Sequence, residues 1–129
     1  MNSGNHTLPK SERLHSKKLI DCLFSGGNKS MSAFPLRMVF MPMAKQNDND
    51  TSLMLVSVPK RLLHKANRRN LVKRQIREAY RKNKHITNGL HAAMAFVWLD
   101  KKTWPTDIVE QRIVNLLTRA KEKQIDDGK

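Results

Sequence analysis

Cysteine is almost absent from this 129-residue chain, Cys22 being the only one. A single thiol excludes an internal disulfide framework and fits a reducing cytoplasm. Aromatic residues are scarce at 5%, and the apolar fraction of 39% is low for a globular chain. No apolar run approaches the roughly 18–20 residues that a membrane span needs. The polar segment from Met1 to Lys10 is not followed by the apolar stretch and cleavage site of a secretory signal. Acids are few: 11 Asp and Glu stand against 25 Lys and Arg, a net charge of +14. Catalytic motifs are missing too. There is no Gly-rich phosphate loop and no HExxH or CxxC spacing. His6, His15, His64, His85 and His91 are scattered without paired metal spacing. The basic region lacks a carboxylate cluster that would hold Mg²⁺. The expectation is a chain with no catalytic residue and no metal ligand of its own.

What the chain holds in excess is ordered positive charge. Residues 60–84 carry 11 Lys and Arg and one acid, Glu78, so this segment alone contributes a net +10. On an ideal helix at about 100° per residue, with Arg68 as origin, Lys73, Arg77, Asn70, Arg81 and Arg74 fall in a sector from about 140° to about 240°. Val72, Ile76, Ala79 and Tyr80 lie mostly on the other side. One helix therefore presents an apolar face to a core and a cationic face to something else. Repulsion among these charges costs stability. Arg68 and Arg69 also sit near the helix start, where the macrodipole disfavours cations. A stripe that opposes its own fold calls for an external anion, and a polyphosphate is the obvious one. Arginine suits phosphate oxygens better than a lysine point charge does, and the Asn70 amide can donate to phosphate or to a ribose hydroxyl. Glu78, with Arg74 and Lys82 four residues to either side, is expected to form a local ion pair.

The remaining pattern predicts one domain of order α-β-β-α-β-α between polar ends, 1–10 and 123–129. Leu14, Leu19, Ile20, Leu23 and Phe24 suit an amphipathic helix over 11–25, with Ser11 as N-cap, Gly26-Gly27 as stop and Cys22 as a small core filler. Phe34 to Met41 alternates as a strand, Phe34, Leu36, Met38 and Phe40 sharing one face. A polar loop follows. Leu53 to Val58 forms a second strand, Asn67 to Lys84 the basic helix, Asn88-Gly89 a turn, and Ala92 to Leu99 a buried strand. Pro105-Thr106-Asp107 opens a last helix, with Glu110 placed as the partner of a capping box. Strands joined by crossover helices imply a small central sheet with helices packed on it, an α/β or α+β two-layer sandwich. Most of the seven aromatics fall at apolar-face positions and are expected in the core; one or two could line a groove where bases stack.

The string VSVPKR…KANRRNLVKRQIREAYR resembles the signature of the protein subunit of bacterial ribonuclease P. That family carries Ser-Val-x-Lys-Lys/Arg at a strand end, then Ala-Val-x-Arg-Asn-Arg-x-Lys-Arg-x-x-Arg-Glu-x-x-Arg. The matching residues are Ser57, Val58, Lys60, Arg61, Ala66, Arg69, Asn70, Lys73, Arg74, Arg77, Glu78 and Arg81. Leu71 and Asn67 depart from the pattern. The likeness spans about residues 11–122, which it marks as the RNase P protein domain. It implies an α/β sandwich with a left-handed βαβ crossover. It also implies an accessory subunit of an RNA-catalysed endoribonuclease, one protein per RNA, that removes the 5′ leader of precursor tRNA. The Mg²⁺ ions would be held mainly by the catalytic RNA. Lys60, Arg61, Arg68, Arg69, Asn70, Lys73, Arg74, Arg77 and Arg81 would bind RNA. Phe24, Ile20, Phe34 and Phe40 would line or flank a cleft for the single-stranded leader.

Three other readings compete. A structural or ribosomal RNA-binding protein would share the charge and the fold type but would not need the leader cleft. A DNA reader would offer varied base-reading side chains on its recognition helix rather than mostly cations. A membrane-surface helix would need a larger apolar face than Val72, Ile76 and Ala79 provide.

Overall fold

The computed structural model describes residues 17–25, 29–42, 52–87 and 92–127. It contains α1 (Lys17–Leu23), β1 (Lys29–Ala33), β2 (Leu36–Pro42), β3 (Leu53–Ser57), α2 (Ala66–Asn83), a 3-10 turn (Lys84–Thr87), β4 (Ala92–Trp98) and α3 (Thr106–Asp127). The four strands form one sheet in the order β1-β2-β4-β3. β1 runs antiparallel to β2, β2 antiparallel to β4, and β3 parallel to β4. α2 therefore serves as the crossover between two adjacent parallel strands, as a parallel pair requires.

Large and small side chains alternate along β4, and this alternation fixes both layers. Met94, Phe96 and Trp98 point to one face with Leu36, Met38 and Phe40 of β2 and Met54 and Val56 of β3. α2 and α3 cover that face with Val72, Ile76, Ala79, Tyr80, Val109, Ile113, Leu116, Leu117 and Ala120. Tyr80 packs on Phe96 with ring centroids 6.2 Å apart. The opposite face carries Val39, Ala93 and Ala95, against which α1 lays Leu23 and the half-buried Ile20. The two alanines leave room for the short helix to lie close to the sheet.

α2 and α3 are joined by polar contacts as well as by packing. Gln75, buried on α2, donates through Nε2 to the Trp104 carbonyl (3.0 Å) and to Thr106 Oγ1 (2.9 Å). Asn83 Nδ2 donates to Glu110 Oε2 at 2.9 Å. Glu110 thus reaches across to α2 rather than back to its own helix start as a capping box would. α3 also grips the β1–β2 hairpin: Arg119 Nη1 donates to the Ser32 carbonyl (2.8 Å) and Arg112 Nε to the Phe34 carbonyl (2.9 Å).

Three further points differ from the sequence expectation. Lys29–Ala33 is a strand, so the hairpin has two arms where alternation predicts one; the arms meet at a cis Phe34-Pro35 bond. β1 escapes notice because Ser30 and Ser32 alternate with only Met31 and Ala33. Cys22 is exposed, not a core filler, since Leu23 takes the inward position on α1. α3 continues to Asp127, past the start of the expected polar tail. Ser11, Gly26-Gly27 and Asn88-Gly89 lie outside the described residues.

Candidate nucleic-acid interface

α2 presents the cationic face that the helical spacing predicts. Val72, Gln75, Ile76, Ala79 and Tyr80 are buried beneath it. Arg68, Asn70 and Arg74 are exposed, Lys73, Arg77 and Arg81 are half-buried, and Lys60 and Arg61 stand exposed on the approach to the helix. Sulfate- or phosphate-like anions can reach this face without disturbing the core, because its anchoring residues all point the other way.

Arg81 and Arg69 on α2 already have work within the fold. Arg81 forms a bidentate pair with Glu78, Nε to Oε1 at 2.7 Å and Nη2 to Oε2 at 2.8 Å. That hydrogen bond holds the Arg81 guanidinium further above its ordinary value. Glu78 therefore takes its bidentate partner at i+3, whereas its sequence spacing pointed to Arg74 and Lys82 at i±4. Arg69 lies at about 100° on the helical wheel, outside the stripe. Its Nη1 donates to the carbonyls of Leu63 (2.9 Å) and His64 (2.8 Å). The helix opens on Lys65 without a side-chain cap, and Arg69 fastens the loop that precedes it.

The second sheet face offers a different surface. Register places Ser32, Arg37, Val97 and Ser57 in one row across it, with Leu55 in the next. Arg37 is exposed and donates from Nε to Ser30 Oγ at 3.0 Å. Val97, Ser57 and Leu55 are half-buried. Phe24, at the C-terminal end of α1, is 45% exposed, directly after the fully buried Leu23. α1 and this face therefore bring an exposed aromatic ring, half-buried aliphatic side chains and a cation to one side of the sheet. Ile20 packs half-buried against Val39, Ala93 and Ala95 on the same side.

Two of the four expected cleft residues lie elsewhere. Phe40 is 0% exposed in the core beneath α2 and α3, on the other side of the sheet. Phe34 is 55% exposed, but its ring meets Trp104 at 5.9 Å, on the side of the sheet that carries the two long helices. Period-two alternation correctly groups Leu36, Met38 and Phe40, while Phe34 falls in the turn before β2; alternation cannot say which helices cover that face. Gln75, Arg112 and Trp104 were missed by sequence reasoning. Gln75 sits at about 340° on the helical wheel, between apolar positions, and that placement was the available signal.

The acids are dispersed. Glu78 is paired with Arg81, Glu110 accepts from Asn83, and Asp100 accepts from Trp104 Nε1 (2.7 Å) and from the Lys101 amide (2.8 Å). The Trp104 hydrogen bond, more than any other cause, holds the Asp100 carboxyl below the usual range. Among the described residues no group of three or more His, Cys, Asp or Glu could hold a metal ion. No helix among the described residues is long and apolar enough to cross a membrane.

Known proteins share both sequence and fold. Residues 8–121 match the Ribonuclease P family. The "Ribonuclease P protein component" of Porphyromonas gingivalis is 36% identical over 118 residues, covering 87% of this chain and 85% of the relative. The RNase P protein of Thermotoga maritima superposes with a TM-score of 0.69 at 26% identity, over 84% of this chain and 96% of that one. That of Staphylococcus aureus does so with a TM-score of 0.71 at 22% identity, over 87% and 97%. With its basic helix, its sheet order and these likenesses, the chain belongs to the ribonuclease P protein family, the protein components of the endoribonuclease complex that matures the 5′ ends of tRNA.

Proposed function

We propose that the two surfaces divide the work of an accessory subunit between two RNAs. The cationic face of α2, with Lys60 and Arg61, docks on the RNA subunit of ribonuclease P, one protein per RNA. The groove between α1 and the second sheet face takes the single-stranded 5′ leader of precursor tRNA, in the cytoplasm. The RNA subunit holds the Mg²⁺ ions and performs the phosphodiester cleavage. The observation that carries this reading is the placement of the two surfaces on opposite sides of the sheet, so that one protein can bridge catalyst and substrate. Arg68, Asn70, Lys73, Arg74 and Arg77 supply phosphate or ribose contacts. Arg69 and Arg81 contribute chiefly by shaping the helix and its entry loop.

The test separates the surfaces. In the assembled enzyme Phe24→Ala should weaken binding of leader-bearing precursor about tenfold, the equivalent of one stacked base, and leave mature tRNA unaffected. Lys73→Ala and Arg74→Ala should weaken binding to the RNA subunit, each lowering the salt slope by about one unit. The protein without RNA should release no leader from precursor tRNA in Mg²⁺. Specific cleavage by the protein alone, or a folded Phe24→Ala variant with full leader-dependent affinity, would overturn the corresponding half of the proposal.

A further inference from the structure

We infer that Phe34, Trp104 and Arg112 form a stacking platform for an unpaired nucleotide of the RNA subunit. This deepens the reading that α2 docks on that RNA, and rests on it. Phe34 is more than half exposed, yet its backbone and ring are both held. Its carbonyl accepts from Arg112 Nε at 2.9 Å, and the neighbouring Pro35 carbonyl accepts from the Leu99 amide at 2.8 Å. Its ring meets Trp104 edge-on, with centroids 5.9 Å apart and planes at 73°. Trp104 is fixed at both ends, its Nε1 on Asp100 and its carbonyl on Gln75. The Arg112 guanidinium lies 6.0 Å from the centre of the Trp104 ring. An exposed ring set rigidly beside a second aromatic and a cation is a surface on which a base can stack at little ordering cost.

Charge favours RNA over a protein as the occupant. The Asp100 carboxylate is engaged by Trp104 and the Lys101 amide. Lys101 and Lys102 stand exposed on the same loop. Lys101 also shares a shallow depression with Lys65 and Arg68 at the start of α2. Cations thus lead from the platform to the docking helix. The source is the RNA subunit rather than the leader, because the Gln75 bond ties Trp104 to α2, and the leader groove lies on the other side of the sheet.

The test uses full-length protein with Phe34→Ala, Phe34→Leu and Phe34→Trp, bound to the RNA subunit without substrate across a salt series, with melting curves on each variant. Alanine and leucine should weaken affinity about tenfold, with the salt slope unchanged because no charge is lost. Tryptophan should restore wild-type affinity. Wild-type affinity in folded Phe34→Ala would overturn the platform and leave the patch to a protein partner. Leucine performing as well as phenylalanine would show apolar contact without stacking, and would equally overturn it. Should the alanine variant melt early, the leucine and tryptophan pair still decides. In a parallel arm with leader-bearing precursor and the assembled enzyme, a loss seen there but not in RNA-subunit affinity would assign the base to the substrate and refute the stated source. Failure of the docking reading itself is read separately, from Lys73→Ala and Arg74→Ala retaining full RNA affinity.

Discussion

Arg69→Ala should damage the fold before it damages RNA binding, and Arg74→Ala should do the reverse. Arg69 Nη1 serves two carbonyls, those of Leu63 and His64, at 2.9 and 2.8 Å. A hydrogen bond from a charged donor is worth about 1.5–3 kcal/mol when its partner is shielded. His64 is exposed, so water replaces part of what is lost, and a total of about 1–2 kcal/mol is the reasonable figure. For a chain of this size that corresponds to a drop in Tm of about 3–8 °C. Arg69→Lys should recover little of it, since an ammonium on a flexible stem does not reproduce the planar donor geometry that meets both carbonyls. Arg74 is exposed on the stripe, and its removal should leave Tm within about 1 °C, as surface substitutions generally do. Thermal melts by circular dichroism, paired with filter binding to the RNA subunit across a salt series, measure both effects on the same preparations. The reasoning fails if Arg69→Ala melts with the wild type, or if the two variants lose RNA affinity and salt dependence equally with unchanged Tm.

Three further outcomes follow from buried or paired polar groups and from the thin sheet face. Gln75→Glu puts an acceptor where Nε2 now donates to the Trp104 carbonyl; burial raises the carboxyl in the folded state, so the loss of stability should grow as pH rises above about 4.3. Tm differences from wild type at pH 4 and pH 7 check this, and an equal loss at both would refute it. Asp100 has a lowered folded value, so its contribution is present above about pH 3.9 and fades as pH falls through the folded value. Asp100→Asn should therefore flatten the acid limb of a plot of Tm against pH. Ala95→Leu should overfill the seat of α1 and cost about 1–3 kcal/mol, with weaker leader-dependent binding, whereas Val97→Leu on the same face should be milder.

How far the sequence is legible depends on the kind of signal each element carries. α2, β3, β4 and the start of α3 are recovered within a residue or two, because periodic apolar positions follow from which face is buried. Val72, Ile76, Ala79 and Tyr80 are buried as spaced, and the exposed positions of the stripe follow by difference. What escapes is decided by partners distant in the chain. Glu110 meets Asn83 27 residues away, and Gln75 meets Thr106 31 residues away. Cys22 is turned outward because Leu23 fills the inward position. Phe40 reads as well for a groove wall as for a core, and only the layer that covers β2 decides. Arg69 and Arg74 look alike in composition; their wheel angles already separate them, but the carbonyls that receive Arg69 belong to a loop with no periodic signature.

The grip of α3 on the outer hairpin arm has a consequence for the chain before it meets RNA. β1 is an edge strand, and such edges tempt other chains to add a strand of their own. Arg119 occupies the Ser32 carbonyl, and Arg112 occupies that of Phe34 at the hairpin tip. Each arginine takes an acceptor that a foreign strand would need, and each sets a positive charge beside it. On a chain of net charge +14, a second copy approaching that edge meets repulsion as well as a blocked hydrogen-bond ladder. The outer strand is in this way guarded against self-assembly by two side chains of a helix that is otherwise occupied with the core.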